Sequence, residues 1–289
     1  PPVVPAIRAA WLRCRVVFFR HQRLDHATQV RFASEFGFQS FTSMNVIETF
    51  TRPADRNPSS PVMEAHQRNT GGNARIIETM LRYFRFPSSF ENMVFLSQIQ
   101  QGLAIKTAIE YWRSTKPRCM GTLYWQINDT YPVHSWASLD YGGQWKLLHY
   151  MAKRFFLPIS VVAVPQDDTL VLKAVNDTGN KTTIGVEVRA VDVTGADRVI
   201  YSGKASVSPD AAAVVAKVPL KRLGEGEFLF FSWTDENGKL LGENDYFPKA
   251  YRLYEPAQPK IKAAWSGTDE KPVLTLTTDK PAFFVTASV

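Results

Sequence analysis

Glu35 is the first candidate for acid–base or nucleophilic chemistry, because of where it lies in the sequence pattern. It lies near the end of a short apolar run, residues 30–36, and glycine and polar residues follow. In α/β barrels the carboxyl ends of the strands carry the active site, and a buried carboxylate needs a partner or a function. A glutamate held by a structural arginine is the commoner arrangement at such a position. Glu35 is therefore a candidate catalytic carboxylate, with a structural role as the alternative.

A second candidate site lies between residues 124 and 145, where aromatic side chains alternate with amides and carboxylates. The aromatic residues are Tyr124, Trp125, Tyr131, Trp136, Tyr141 and Trp145, and the polar ones are Asn128, Asp129 and Asp140. A sugar offers flat C–H faces and a rim of hydroxyls, which suit aromatic platforms beside polar groups. Strand residues alternate in facing, so about half of these rings are expected in the core.

Other catalytic chemistries lack the spacing that they need. The histidines are His21, His26, His66, His134 and His149. None forms an H-E-x-x-H motif or has a cysteine partner at metal-ligand spacing. Ser34 and Ser40 have no G-x-S-x-G setting, and Gly71-Gly72 does not open a phosphate loop. No metal site and no serine mechanism is predicted.

Composition narrows the range of partners. The 289-residue chain is 45% hydrophobic and 21% charged, which is typical of a globular protein. No apolar run approaches the roughly 18 residues needed to span a bilayer, so no membrane partner is predicted. The formal charge is +7, but no groove-reading motif accompanies it, so no nucleic-acid partner is predicted. Cys14 and Cys119 make no disulfide framework, which leaves the compartment unknown.

The candidate residues must be positioned by helices and strands, and the periodicity of apolar residues changes near Pro158. Before it, apolar runs at residues 30–36 and 120–127 alternate with helical patterns. Buried strands separated by helices predict parallel βα units, in an open sheet or a closed barrel. After it, nearly every segment alternates with period two, so two different folds are expected in series.

Three helices are predicted in the first part. One opens at Gly71-Gly72 and stops at Pro87. Ser88 and Glu91 form a capping box for the second, which should end before Pro117. Their inward-facing residues are Ile76, Ile77, Met80, Leu81 and Phe84, then Leu96, Ile99, Leu103, Ile105, Ile109 and Trp112, and in the last helix Leu147, Leu148, Met151 and Phe155.

The second part is predicted to be an antiparallel β-sandwich, because short strands recur with turn sequences between several of them. The predicted strands are residues 169–175, 183–191, 198–207, 213–218 and 227–233. A proline-bearing linker follows at residues 254–259. Two more strand-like runs, residues 272–278 and 282–287, are too few to close a third domain.

Two long motifs resemble one enzyme family. Residues 32–40 (FASEFGFQS) resemble the nucleophile motif of the β-mannosidases of glycoside hydrolase family 2, and residues 121–129 (GTLYWQIND) resemble their final barrel strand. Further matches include Ser135-Trp136, Asp140-Tyr141 and Trp145-Lys146, and the similarity is dense from about residue 30 to Pro158. Two long motifs in the right order are far more specific than a short pattern.

The resemblance implies an α/β plus all-β chain. Residues 1–157 would be the C-terminal part of a (β/α)8 TIM barrel, with Glu35 ending its seventh strand and Trp125 on its eighth. Residues 158–254 would form an immunoglobulin-like β-sandwich, and residues 255–289 the start of a further β-sandwich domain. The partners implied are a β-mannoside oligosaccharide and the remainder of the barrel with the N-terminal domains of a longer parent chain.

The resemblance also implies a retaining mechanism without metal or organic cofactor. Glu35 would be the nucleophile that forms a covalent mannosyl-enzyme, and a second carboxylic acid would serve as acid and base. Trp125 would lie under the terminal, non-reducing mannose, Asn128 and Asp129 would shape that wall, and Trp136 would also bind substrate.

Two departures from the family pattern matter. In this family the acid/base glutamate follows an asparagine, and the chain contains no Asn-Glu dipeptide. The acid/base is therefore expected outside these residues, and the segment alone should not turn over substrate. Residues 1 to about 28 do not match the loop that precedes the nucleophile strand. Smaller changes at Thr130, Tyr131 and His134 are expected to alter specificity around the entrance.

Two alternatives remain open at this stage. One is another family 2 glycosidase, of the β-galactosidase or exo-glucosaminidase type, which would share barrel and nucleophile. The other is a non-catalytic carbohydrate-binding relative that keeps the scaffold.

Overall fold

The computed structural model describes residues 32–287, with side chains from Phe36 onward. Expectations that concern residues 1–31, including Cys14 and the departure before the nucleophile strand, lie outside this range. The first part contains strands β1 and β2 and helices α1 to α5. In chain order these are β1 (Phe32–Phe36), α1 (Met44–Ile47), α2 (Pro61–Ala65), α3 (Gly72–Tyr83), α4 (Phe90–Arg113), β2 (Gly121–Tyr124) and α5 (Leu147–Phe155).

Strands β1 and β2 pair in parallel, as the βα pattern predicts. Phe32 lies opposite Gly121 and Phe36 opposite Tyr124, with an irregular register between the two pairs. The backbone N–H of Trp125 donates to Phe36 O at 2.6 Å and extends the contact beyond β2. β2 is shorter than the predicted run of residues 120–127, because the chain leaves the sheet at Trp125. Two strands do not make a barrel, so the closed barrel remains an expectation.

The helices follow the apolar periodicity closely. The predicted helix after Gly71 and the last helix are confirmed as α3 and α5, and α4 ends before Pro117 as expected. The capping prediction at Ser88 is wrong by one residue. Ser89 is the N-cap of α4, and its Oγ accepts from Asn92 N at 3.1 Å, while Ser88 Oγ only accepts from the Asn92 side chain.

Two apolar clusters pack the helices of the first part. The cluster under α3 and the first half of α4 consists of Phe41, Ile47, Met63, Ile76, Met80, Phe84, Met93, Val94 and Ile99. The cluster between α4 and α5 is centred on Ile105, Ile109, Leu148, Ala152 and Phe155, against which Phe36, Phe38 and Tyr124 pack. The second cluster therefore joins both helices to the ends of β1 and β2.

The second part is a two-sheet antiparallel β-sandwich. Its strands are β3 (Ile159–Gln166), β4 (Thr169–Asn176), β5 (Thr182–Val191), β6 (Asp197–Val207), β7 (Ala211–Pro219), β8 (Phe228–Thr234) and β9 (Leu240–Tyr246). One sheet has the order β3-β4-β7 and the other β6-β5-β8-β9. The five predicted strands are confirmed, whereas β3 and β9 were not predicted.

Trp233 of β8 is the largest side chain buried in the core of the sandwich. Its Nε1 donates to Ile159 O at 3.1 Å, which ties the two sheets together. Gly242 of β9 faces the ring so closely that a Cβ there would lie 2.3 Å from Trp233 Cζ2. Glycine at position 242 therefore permits the indole to be buried.

Helix α4 is fastened to the sandwich by charged and polar side chains. Arg113, at its end, donates to Leu157 O at 2.7 Å and to Asp177 Oδ2 at 2.8 Å. Lys116 Nζ lies 2.6 Å from the other oxygen of Asp177. About one turn before Arg113, Glu110 accepts from Asn244 of β9 at 3.0 Å. The helix thus has partners in both parts of the chain.

The last described residues form a hairpin and an irregular tail. Strands β10 (Ile261–Thr268) and β11 (Lys271–Thr278) pair in antiparallel fashion and are almost entirely exposed. The run at residues 272–278 is confirmed as a strand, but the predicted strand at residues 282–287 is wrong. Phe283 packs against Phe228 and Phe247, and Phe284 has φ 55° and packs against Tyr251. Aromatic packing replaces strand pairing there.

None of the helices in residues 32–287 is both long enough and apolar enough to cross a membrane.

The substitution Gly242→Ala tests the packing of the sandwich. Its methyl group must displace the buried indole of Trp233, so we expect the free energy of unfolding to fall by about 1–3 kcal/mol. Gly179→Ala is the matched control, because a Cβ at position 179 meets nothing within 4 Å. Urea unfolding of both variants measures the difference. Equal stability of the two variants would contradict the packing described for Trp233.

Candidate active site

Glu35 is the penultimate residue of β1, at the carboxyl end of the strand. Its neighbour Phe36 pairs with Tyr124 of β2 and accepts the backbone hydrogen bond of Trp125. The backbone therefore brings the two predicted motifs together at the same end of the β1–β2 pair. The side chain of Glu35 lies outside the described part of the chain.

Gly37 lets the two motifs approach each other closely. A Cβ at this position would lie 2.6 Å from Trp125 O and 2.8 Å from Trp136 Cδ1. Any larger residue would push the segment after Glu35 away from both tryptophans. The spacing between the candidate nucleophile and the aromatic wall thus depends on a residue without a side chain.

Trp125 presents its ring to solvent, with 46% of the residue exposed. The peptide bond between Trp125 and Gln126 is cis. Trp136 is half-buried, and its carbonyl accepts from Gln126 N at 3.3 Å. Trp125 can therefore meet a ligand with its ring, whereas Trp136 also has a structural role against Gly37.

Asp129 is buried, with 8% exposure, and both its carboxylate oxygens are engaged. Oδ2 accepts from Ser135 Oγ, and Oδ1 accepts from Gln126 Nε2 at 2.9 Å. Burial raises the pKa of Asp129 above its ordinary value, although the hydrogen bond from Ser135 and the charge of Lys146 lower it. The carboxylate therefore holds the shape of the loop after β2.

Asn128, the neighbouring residue, is exposed. Its side-chain nitrogen makes a long contact of 3.5 Å with Asp129 O, and its backbone carbonyl accepts from Gln126 Nε2 at 3.0 Å. The backbone of Asn128 is fixed while its amide group stays accessible. Among the predicted polar residues, it is better placed than Asp129 to meet a hydroxyl group directly.

A buried lysine and a buried aspartate, Lys146 and Asp140, lie beneath the loop after β2. Asp140 accepts from Thr42 Oγ1 and from Ser43 N, which joins the loop after β1 to the loop after β2. Lys146 is 1% exposed, and burial lowers its pKa to about 8, while Asp140 and Asp129 act to raise it. At neutral pH its positive charge compensates the two buried carboxylates.

His134 does not lie at the entrance, contrary to the expectation from the sequence. It is fully buried, its Nδ1 accepts from Thr42 N at 3.2 Å, and its ring packs on Phe41. Burial lowers the pKa of His134 to about 3, so the ring is neutral. Thr130 and Tyr131 are exposed and remain candidates for contacts at the entrance.

Two buried glutamines of α4 hold the loops around the site and were not found from the sequence. Gln98 donates to Ser43 Oγ at 3.0 Å and accepts from Leu147 N at 3.2 Å. Gln101 donates to Phe38 O at 2.8 Å and to Trp136 O at 3.0 Å. The available signal was a group of polar residues in the middle of a long helix, where Ser97, Gln98, Gln100 and Gln101 are all buried.

A metal site is not formed in the described residues 36–287, where no three His, Cys, Asp or Glu side chains cluster.

Comparison with known proteins places these features in context. No protein-family model matches the chain. A β-mannosidase of Capra hircus is 35% identical over 162 residues, which cover 52% of the chain and 18% of that protein. A β-mannosidase B of Thermothelomyces thermophilus is 26% identical over 269 residues, which cover 81% of the chain and 32% of that protein.

Solved structures show the same likeness. The β-D-mannosidase of Dictyoglomus thermophilum superposes with a TM-score of 0.82 at 30% identity, covering 86% of the chain and 31% of that protein. An exo-chitosanase of Amycolatopsis orientalis superposes with a TM-score of 0.67 at 17% identity, covering 86% of the chain and 34% of that protein, and shares the fold. The chain spans less than a third of the length of these two β-mannosidase relatives, goat and Dictyoglomus. By sequence and by fold, it is a relative of the β-mannosidases of glycoside hydrolase family 2 and corresponds to their C-terminal part.

Proposed function

We propose that the full-length protein containing this chain is a retaining exo-β-mannosidase, which removes terminal β-D-mannose from the non-reducing end of oligosaccharides. One observation carries the proposal. Glu35 lies at the carboxyl end of β1, and its neighbour Phe36 accepts the backbone hydrogen bond of Trp125, in a chain similar to β-mannosidases. A glutamate at the carboxyl end of a strand, whose backbone pairs beside the loop that carries an exposed tryptophan, suits attack on a sugar ring.

The proposed mechanism uses two carboxyl groups. Glu35, ionised, attacks the anomeric carbon while a second carboxylic acid protonates the departing glycosidic oxygen. The covalent mannosyl-enzyme is then hydrolysed by water, from which the second group, now a carboxylate, removes a proton. Retention requires the two carboxyl groups to lie about 5–5.5 Å apart. The acid/base is assigned to the part of the protein outside this chain.

The substrate-binding roles rest on exposure and on hydrogen bonding. Trp125 is proposed to stack on the mannose ring, because its indole is exposed at the end of β2. Asn128 is proposed to bind a hydroxyl, whereas Asp129 and Trp136 are proposed to act on substrate mainly by shaping the wall. Both of them are tied to Gln126 or to the loop around it.

The proposed domain organisation follows the same relationship. Residues 1–157 would complete a (β/α)8 barrel with the rest of the parent chain. Residues 158–254 would be an immunoglobulin-like domain, which the three- and four-stranded sheets of the sandwich support. Residues 255–289 would begin a further β domain, to which the exposed β10–β11 hairpin would belong.

Hydrolysis by the full-length protein tests the proposed substrate. We expect p-nitrophenyl β-mannoside to be cleaved with a higher kcat/KM than the β-galactoside or the β-glucosaminide. A preference for either of the latter would assign the protein to another family 2 activity. The 289-residue chain alone should not cleave the mannoside, since the acid/base is missing. Unaided turnover by this chain would place the proton donor within residues 1–289.

The substitution Glu35→Gln in the full-length protein tests the nucleophile. We expect kcat/KM to fall by several orders of magnitude, because the neutral amide cannot form the glycosyl-enzyme. Glu64→Gln is the matched control, since Glu64 is an exposed glutamate of α2. Sugar binding by an unsubstituted protein that has no turnover to lose would instead support a non-catalytic binder.

The substitution Trp125→Ala tests the platform. Loss of the stacked ring should weaken transition-state binding by about 0.5–1.5 kcal/mol, which corresponds to a fall in kcat/KM of roughly 2- to 13-fold. Trp265→Ala is the control, because Trp265 is 59% exposed on the β10–β11 hairpin. Similar kinetics for both variants would remove Trp125 from the site.

A further inference from the structure

Gln101 has a buried amide group that joins two separate loops. The residue is fully buried in the middle of α4. Its Nε2 donates to Phe38 O at 2.8 Å and to Trp136 O at 3.0 Å, and its Oε1 accepts from Ser40 Oγ at 2.8 Å. One side chain therefore satisfies polar groups of the segment after β1 and of the loop after β2.

The two segments are those that carry the candidate catalytic groups. Phe38 follows Glu35 by three residues along the chain. Trp136 O also accepts from Gln126 N, the residue that follows Trp125. Hydrogen bonds thus connect the carbonyl of Phe38, just after β1, through the amide of Gln101 to the carbonyl of Trp136. That carbonyl in turn bonds to the backbone N–H of Gln126, the residue after Trp125.

An amide is the group that these contacts require. Two carbonyl oxygens need donors and one hydroxyl needs an acceptor, and a glutamine side chain supplies both kinds. An ionised glutamate would bring a third acceptor towards the two carbonyls. A methionine would fill the space but leave the polar groups without their partner. Residue 101 is therefore constrained in chemistry as well as in volume.

We propose that Gln101 is a positioning residue, which sets the separation between the strand end that carries Glu35 and the loop that carries Trp125 and Trp136. The inference rests on the proposed function, because it concerns the alignment of the nucleophile with a mannose ring on Trp125. Gly37 allows the two segments to touch, and Gln101 keeps them in register. Gln101 itself touches neither the reacting atoms nor the sugar.

The expected kinetic effect is on kcat more than on KM. Mannose can still bind to Trp125 when the bridge is lost, but the attacking oxygen is no longer aligned with the anomeric carbon. A displacement of about 1 Å can cost on the order of a hundredfold in rate. We expect Gln101→Met in the full-length protein to lower kcat by about tenfold to a hundredfold, with KM changed less than threefold.

A pH profile separates positioning from a loss of folded protein. In the Gln101→Glu variant the new carboxyl group can donate to a carbonyl only when it is protonated. Its kcat relative to that of Gln101→Met should therefore rise as the pH falls. A purely structural role would give a ratio that does not depend on pH, measured well below the unfolding temperature of each variant.

Gln100→Met is the matched control. Gln100 is the neighbouring residue on α4, is 6% exposed, and its Oε1 has no hydrogen-bond partner among the described residues. The control should leave kcat within about twofold of the unsubstituted protein, since that oxygen forms no hydrogen bond with either loop among the described residues. An equal loss of kcat in both variants would show that the effect comes from the helix and would overturn the proposal.

Amide hydrogen exchange keeps this test separate from that of the proposed function. Gln101→Met should speed exchange in residues 37–43 and in residues 125–139, and Gln100→Met should not. Unchanged exchange in either segment overturns the bridging role, whatever the enzyme does. If the unsubstituted protein does not hydrolyse the mannoside, the proposed function fails, and with it the catalytic meaning of the bridge.

Discussion

The parallel contact between β1 and β2 sets the distance between the backbone at Glu35 and the loop that carries Trp125 and Trp136. The helices of the first part pack around this contact. The contact continues past the strands, through the hydrogen bond from Trp125 to Phe36 and the close approach at Gly37. Because the strand ends meet directly, a shift of either loop moves the candidate nucleophile relative to the platform. The hydrogen bonds of Asp140 and Gln101, which join the loop after β1 to the loop after β2, resist such a shift.

Helix α4 links this contact to the rest of the chain. Its first half faces the loops with Gln98 and Gln101, and its last turn holds the sandwich through Arg113. Between them, Lys106 pairs with Glu110 at 3.3 Å, and burial raises the pKa of Glu110 above its ordinary value. A buried ion pair contributes little net stability, but removal of one partner leaves a buried charge without compensation and is strongly destabilising. The sandwich thus supports α4, the helix whose side chains hold the loops of the candidate site.

Periodicity and the two long motifs predicted the regular elements of the fold and the two segments of the candidate site. The three longer helices, α3, α4 and α5, and the regular strands of the sandwich were found because their apolar faces repeat at 3.6 or 2 residues, whereas the short helices α1 and α2 were not predicted. Strand β3 was missed because Pro165 interrupts the pattern, although an edge strand tolerates proline. Strand β9 was missed because Glu243, Asn244 and Asp245 break the apolar alternation, whereas in the fold the Asn244 side chain bonds to Glu110 of α4. Long-range burial cannot be read locally, which is why His134 was wrongly placed at the entrance and Gln101 was overlooked.

Trapping of the covalent intermediate tests whether Glu35 is the nucleophile. The full-length protein would be incubated with a 2-deoxy-2-fluoro-β-mannosyl donor, which slows hydrolysis of the glycosyl-enzyme, and then digested for peptide mass spectrometry. We expect one added fluoromannosyl group, attached to Glu35 in the peptide that contains FASEF. A label on a different residue, or continued turnover of mannoside with no label at all, would contradict it.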